Sequence, residues 1–210
     1  MKSKKLMKSK YWPHWRVSDR YKAGDTFGTA SLNLATVSPL MALRAAIKQT
    51  QTGLRQTLFA GDTAMNLCVD NEFWMSDSKD EFIDHLDAIE QAKGRVLIHG
   101  LGLGCYLHCI LSKKNVTHVD VVEKNKDVLG LIVPYFDISK RLTFHHDDAF
   151  TKKWKLGTKW DFVWHDIWPT ICEDDLKEHA TLNRKFANRT ETQASWAHSM
   201  LLNLRRRGTI

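Results

Sequence analysis

The run Gly94–Gly104, GRVLIHGLGLG, constrains this chain more than any other stretch. Three apolar residues, Val96, Leu97 and Ile98, lead directly into glycines spaced G-x-G-x-G at Gly100, Gly102 and Gly104. A buried strand that ends in glycines and opens a helix brings backbone N–H groups and the helix N-terminus close to a ligand. Glycine removes the Cβ that would hold the ligand away from the backbone and accepts the dihedrals of the turn. The pattern predicts a cofactor cradle. A plain glycine-rich strand-to-helix turn is the competing reading of the same residues.

The remainder of the chain favours the cradle. With 210 residues there is room for one α/β domain plus an extension. At 43% hydrophobic and 26% charged residues the composition is that of a globular protein and excludes a disordered one. The apolar runs fall short of a membrane span, and no apolar segment follows the basic N-terminus as it would in a signal peptide. Cys68, Cys105, Cys109 and Cys172 show no Cys-x-x-Cys pair, which argues for reduced thiols and against a zinc knuckle. A cytoplasmic protein with no membrane partner is expected.

Charge is unevenly placed. Residues 1–60 carry eleven Lys/Arg against Asp19 and Asp25, or +9; residues 61–92 carry nine acids against Lys79, or −8; the remainder carries +6. The basic leader mixes lysines with Tyr11, Trp12 and Trp15 around Pro13. Such a segment can bind single-stranded nucleic acid. The favoured expectation is an arm that docks its aromatic rings on its own core. Ser38-Pro39 predicts a helix start, with an end near Gly53. Leu67/Val69 and Phe73/Met75 alternate on either side of Asp70-Asn71, as in a β-hairpin. Ser78-x-x-Glu81 is a capping-box pattern for a helix that buries Phe82, Leu86 and Ile89 and stops at Gly94.

After the glycines a short helix is expected over Cys105–Leu111, then strands at Val116–Glu123, Leu142–His146 and Asp161–His165, with a helix capped by Asn125 and halted by Pro134. Helices are expected over about 173–188 and 192–206, and the chain then stops where a fifth strand would begin. The result is an α/β fold: a Rossmann-like parallel sheet with helices on both faces, preceded by a helix and β-hairpin extension and short at its C-terminus. Three units follow: a basic arm and helix (1–57), the hairpin and lead-in helix (58–93), and the cofactor-binding domain (94–210). An exposed sheet edge would be covered by a second copy of the chain.

In such sheets ligands bind beyond the carboxyl ends of the strands. Gly100–Gly104, Glu123, Asp148 and Asp166 all fall on that edge. Glu123 is placed to accept hydrogen bonds from ribose hydroxyls, and Asp148 from an adenine amino group. Dinucleotide folds prefer G-x-G-x-x-G, whereas this loop is G-x-G-x-G followed by Cys105.

Over about residues 67–169 the sequence resembles the class I S-adenosylmethionine-dependent methyltransferases, and most closely their spermidine-synthase-like branch. VLIHGLGLG, with Ile98 where other methyltransferases carry an acid, VDVVEKN and HDDA are similar to that branch's elements. Asp80–His85, DEFIDH, is similar to the D-E-x-x-Y-H segment of aminopropyltransferases, with Asp84 at the tyrosine. The resemblance implies S-adenosylmethionine as cofactor, contacted by Gly100, Leu101, Gly102, Gly104, Glu123, Lys124, Asp148 and Ala149. The fourth strand ends in D-I-W-P, keeping Asp166 and Pro169 but lacking the second Asp of the aminopropyltransferase pattern D-S-S-D-P.

A methyltransferase with a small-molecule or nucleic-acid acceptor is therefore the leading expectation. An aminopropyltransferase-like enzyme and a non-catalytic binding module are the alternatives. Methyl transfer needs positioning and, where required, removal of a proton. Asp166 is the candidate catalytic residue, with His85, His165 and Trp168 on the substrate side. His165 and Asp166 are adjacent at a strand end, so only one of them faces the site. Trp164 and Trp168 are read either as an aromatic wall or as core.

Overall fold

The computed structural model describes residues 9–43, 59–138, 141–172 and 174–206. Nine strands form two sheets among these residues. A one-turn helix, α1 (Trp12–Trp15), precedes β1 (Thr26–Phe27) and β2 (Ala30–Thr36). Helical backbone follows at residues 39–43, and the rest of the helix expected to reach Gly53 lies outside the described residues. Then come β3 (Thr63–Val69), β4 (Glu72–Ser76), α2 (Lys79–Gln91), β5 (Gly94–His99), α3 (Cys105–Leu111), β6 (Val116–Glu123) and α4 (Lys126–Ile132). A 3-10 turn at Val133–Tyr135, which contains Pro134, leads to β7 (Leu142–His146), β8 (Trp160–His165), α5 (Asp175–Phe186), β9 (Thr190–Ser195) and α6 (His198–Arg206).

β5 to β9 make one parallel sheet in the order β7-β6-β5-β8-β9. Two expectations change here. The stretch expected to be helical from Thr192 is a fifth parallel strand, paired with β8 through Phe162↔Thr192 and His165↔Ser195. The sheet is thus not cut short before strand five, and the last helix begins at His198. The reason lies in β9's position at an edge. It is half exposed and its sequence TETQAS is polar, so it carries no apolar signal.

The basic segment also holds strands that the sequence reading lacked. β1 and β2 pair antiparallel with the β3–β4 hairpin into a four-stranded sheet, so pairing crosses the division drawn at residue 57. The hairpin turns at Asp70 and Asn71, with φ of 53° and 63°, the left-handed pair that a two-residue turn requires. A bulge shifts its register. Leu67 pairs with Met75 and Cys68 with Phe73, leaving Trp74 as the extra residue.

Strand alternation builds two apolar layers, with Trp160 at the start of β8 as an exception to the period. Val96, Ile98, Val119, Val121, Phe162 and Trp164 face α2, α3 and the N-terminal arm; Leu97, Val122, Trp160 and Val163 face α5. The arm docks on the first layer. Trp15 and Val17 are fully buried, Trp12 packs edge-on against Phe82 at 5.2 Å, and the Asp77 carboxylate accepts from the backbone N–H groups of Ser18 and Met65, each at 2.8 Å.

The capping box does not form as expected. Ser78 is the N-cap of α2 but makes no side-chain cap bond, and Glu81 instead accepts from the Ser76 N–H (2.7 Å) and hydroxyl (2.9 Å). The helix ends at Gln91, ahead of Gly94, which is the first residue of β5. Asn125 does cap α4, its side chain accepting from Asp127 N and Val128 N.

Candidate active site

The carboxyl ends of β5, β6, β7 and β8 open into one cavity of about 1030 Å³. That is the upper end of the size range of small-molecule pockets, large enough for two reactants side by side. Its floor is the glycine loop. Gly100 has φ of 90°, and a Cβ there would strike the backbone oxygen of Asp166, so the ends of β5 and β8 touch only because residue 100 is glycine. Gly102 has φ of 51°, and Met75 Sδ lies where its Cβ would be. The same sulfur accepts from Leu103 N at 3.1 Å, which seats β4 on the loop.

Beside the loop, Glu123 ends β6. Its two oxygens accept from Leu101 N (2.8 Å) and Asn125 N (2.7 Å), and burial raises its carboxyl against these hydrogen bonds. Asp148 follows β7, bonded by Lys124 Nζ at 2.9 Å and by Phe150 N at 2.7 Å; the Lys124 ammonium is the main reason its carboxyl sits below the ordinary range. Gly100, Leu101, Gly102, Glu123, Lys124, Asp148 and Ala149 all line the cavity. Gly104 is not among its lining residues. It is the N-cap of α3, φ 72°, packed under Phe136 and Tyr21.

At the opposite wall stands Asp166. Its Oδ2 lies 2.7 Å from His85 Nε2, and His85 Nδ1 lies 2.7 Å from the carbonyl oxygen of Glu81. Burial, the largest single influence, would lower the His85 pKa, but the attraction and hydrogen bond of Asp166 together with the Glu81 carbonyl and carboxylate outweigh it, and the net shift is upward. Trp168 lines the cavity and donates its indole N–H to Glu178 at 2.7 Å; Trp164 lines it too, stacked on Tyr106.

His165, expected on the substrate side, is not there. Alternation sends Trp164 and Asp166 to one face of the sheet and His165 to the other, where it is fully buried. Its Nδ1 meets His99 Nδ1 at 2.8 Å, and burial pushes its pKa down to about 4.

Several lining residues had no signal in the sequence. Phe73, Trp74 and Met75 all reach the cavity because of the bulge in the hairpin, which breaks strict alternation. Trp15 arrives from the arm, Trp196 from the end of β9, and Tyr106 from α3. Glu81 could be suspected only from its place in the Asp80–His85 segment.

Glu81 has a measurable signature. Burial raises its carboxyl to about 7 against the hydrogen bonds from Ser76. A carboxyl raised on folding binds more protons in the native state than in the unfolded one, so its contribution to stability is lost as pH climbs from about 4.5 to about 7. Glu81→Gln is expected to equal the wild type at pH 4.5 and to exceed it by about 1–3 kcal/mol at pH 8 in urea denaturation. Equal midpoints at pH 8 would contradict the raised carboxyl.

No protein-family model matches the chain, and no curated protein does. Among solved structures, it is similar to the plantazolicin methyltransferase BpumL in complex with SAH, with 11% identity over 54% of this chain and 45% of that one, TM-score 0.40. It is similar also to CalS10, an amino pentose methyltransferase from Micromonospora echinaspora, with 20% identity over 56% and 50%, TM-score 0.40. A third is the N-methyltransferase NodS from Bradyrhizobium japonicum WM9, with 10% identity over 53% and 62%, TM-score 0.41. The match thus spans 45%, 50% and 62% of the lengths of these three structures.

Proposed function

We propose that the chain is an S-adenosylmethionine-dependent methyltransferase whose cofactor lies along Gly100–Gly102. The observation that carries this reading is the convergence of the glycine loop, Glu123 and Asp148, from the ends of three neighbouring parallel strands, on a cavity shared with Asp166. The residues present suit the cofactor chemically. An open glycine backbone suits the methionyl end, a carboxylate pair suits two hydroxyls and an amino group, and no pyrophosphate-type G-x-G-x-x-G is present. When bound there, S-adenosylmethionine would supply an electrophilic methyl group to a lone pair of the acceptor.

The chain's own residues supply positioning. Asp166 faces the cavity as a hydrogen-bond acceptor for the nucleophile, and the aromatic side chains of Trp164, Trp168, Phe73 and Trp74 exclude water around it. The acceptor is a small molecule or an exposed group of a nucleic acid.

Calorimetric titration with S-adenosylmethionine is expected to give micromolar affinity, on the order of −8 kcal/mol. Glu123→Ala is expected to weaken it at least tenfold, about 1.4 kcal/mol, the loss of hydrogen bonds to a charged group. Absence of binding, or equal affinity in the variant, would remove the proposed cofactor site.

A further inference from the structure

His85 lines the cavity but offers it little surface. It is 2% exposed, behind Asp166, with Trp15 (4.9 Å between ring centroids), Trp164 (5.6 Å) and Tyr106 (6.4 Å) packed around the imidazole. Its hydrogen bonds nevertheless dictate its state. A backbone carbonyl only accepts, so Nδ1 must carry a proton towards Glu81 O. The other nitrogen, Nε2, lies 2.7 Å from a carboxylate oxygen, which leaves room for a hydrogen bond only if a proton sits between them. The imidazole and the carboxylate together therefore hold one proton more than a neutral ring beside an ionised acid.

We infer that His85 is a positioning residue which, braced by the Glu81 carbonyl, donates Nε2–H to Asp166 Oδ2 and turns the other oxygen, Oδ1, to the cavity to receive an N–H or O–H of the methyl acceptor. The inference rests on the function proposed above for its reaction, but its geometry is a property of the chain alone. Asp166 is fixed twice over: its backbone N–H donates to His99 O at 2.9 Å, and its side chain is gripped by His85. Among the described residues, no other hydrogen bond to Oδ2 competes with the imidazole. The arrangement links α2, which carries Glu81 and His85, to the end of β8, so the lead-in helix and the sheet edge set one carboxylate between them.

The groups facing His85 fix the sign of its pH dependence. On α2 these are Glu81 and Asp84, beyond β8 it is Asp166, and on α3 the phenol of Tyr106. Attraction by the acids opposes burial, and the ring's pKa is raised. Its grip on Asp166 is therefore complete below the ordinary histidine value of about 6.5 and is lost as pH rises through the higher folded value.

Two measurements decide the matter on the full chain. The first is nitrogen-15 NMR of the histidine rings, with His85 assigned by its loss in His85→Gln. The expected result is a doubly protonated ring at pH 6.5 that titrates above this value, and a downward shift of that titration in Asp166→Asn. A ring that is neutral at pH 6.5, or unmoved by Asp166→Asn, overturns the inference. The second is the crystal structures of His85→Gln and His85→Leu. Glutamine retains a donor and is expected to leave the Asp166 carboxylate in place, whereas leucine is expected to release it. An unmoved Asp166 in the leucine variant overturns the positioning role, and failure of that variant to fold leaves the decision to the ring titration. Titrating S-adenosylhomocysteine into the same proteins separates the two levels. Lost binding in the wild type counts against the proposed function, while the ring state and the Asp166 conformer judge His85 by themselves.

Discussion

Asp120→Ala is expected to lower the stability of this protein by about 3 kcal/mol, read as a shift in the urea midpoint with the slope unchanged. Asp120 lies in the middle of β6, on the face covered by α5, with its side chain 4% exposed. It accepts from Arg95 Nε (3.1 Å) and Nη2 (2.8 Å), from the Trp160 indole N–H (2.9 Å) and from His145 Nε2 (3.1 Å). Burial would raise its carboxyl, but the bonds from Trp160, His145 and Arg95 outweigh burial and hold it below the ordinary range. Removing it strands a buried indole donor and a guanidinium. Arg95 is 41% exposed and can turn to water, which keeps the loss below the largest values seen for buried pairs. The stabilisation is present above the ordinary Asp value and lost as pH falls through the depressed one, so the variant should also lose this part of the acid sensitivity. A shift below about 0.5 kcal/mol would mean that the network contributes nothing net.

Gly100→Ala is expected to damage both fold and site. The left-handed φ alone costs on the order of 1–3 kcal/mol for a residue with a Cβ. That Cβ also meets the Asp166 carbonyl, so the chain after β8 must move away from the glycine loop, taking the Asp166 side chain with it. Gly157→Ala supplies the control, because Gly157 has φ of 80° but nothing within 4 Å of the added Cβ. Both variants should melt earlier than wild type. Only Gly100→Ala should also weaken S-adenosylhomocysteine by more than about tenfold in calorimetry. Equal affinity in the two variants would show that the contact between the two strand ends does not shape the site.

The parallel sheet was legible where burial on both faces leaves an apolar run, as in β5 (Val96–Ile98) and the end of β6 (Val119, Val121 and Val122, interrupted by Asp120). It was illegible at its edge. Among the described residues β9 pairs only with β8 and stays half exposed, so TETQAS gives no hydrophobic pattern to mark it as a strand. β1 and β2 are similarly short or exposed along most of their length.

The site divides along the same line. Glu123, Asp148 and Asp166 were legible because the topology of a parallel sheet gathers the residues that end its strands, whatever their distance in sequence. Side-chain direction at a strand end was legible only as a choice between His165 and Asp166, which the pleat resolves once the register is known. Phe73, Trp74 and Met75 depend on a bulge, and Trp15 and Trp196 on how the arm and the edge strand pack. The His85–Asp166 contact joins residues 81 apart through tertiary packing alone.

The most direct test of the account is a crystal structure of the protein grown with S-adenosylhomocysteine. The ligand is predicted to lie in the cavity against Gly100–Gly102, with Glu123 and Asp148 contacting its adenosyl part and Asp166 across the open space from its sulfur. A ligand seated elsewhere, or a cavity that stays empty at saturating concentration, would contradict it.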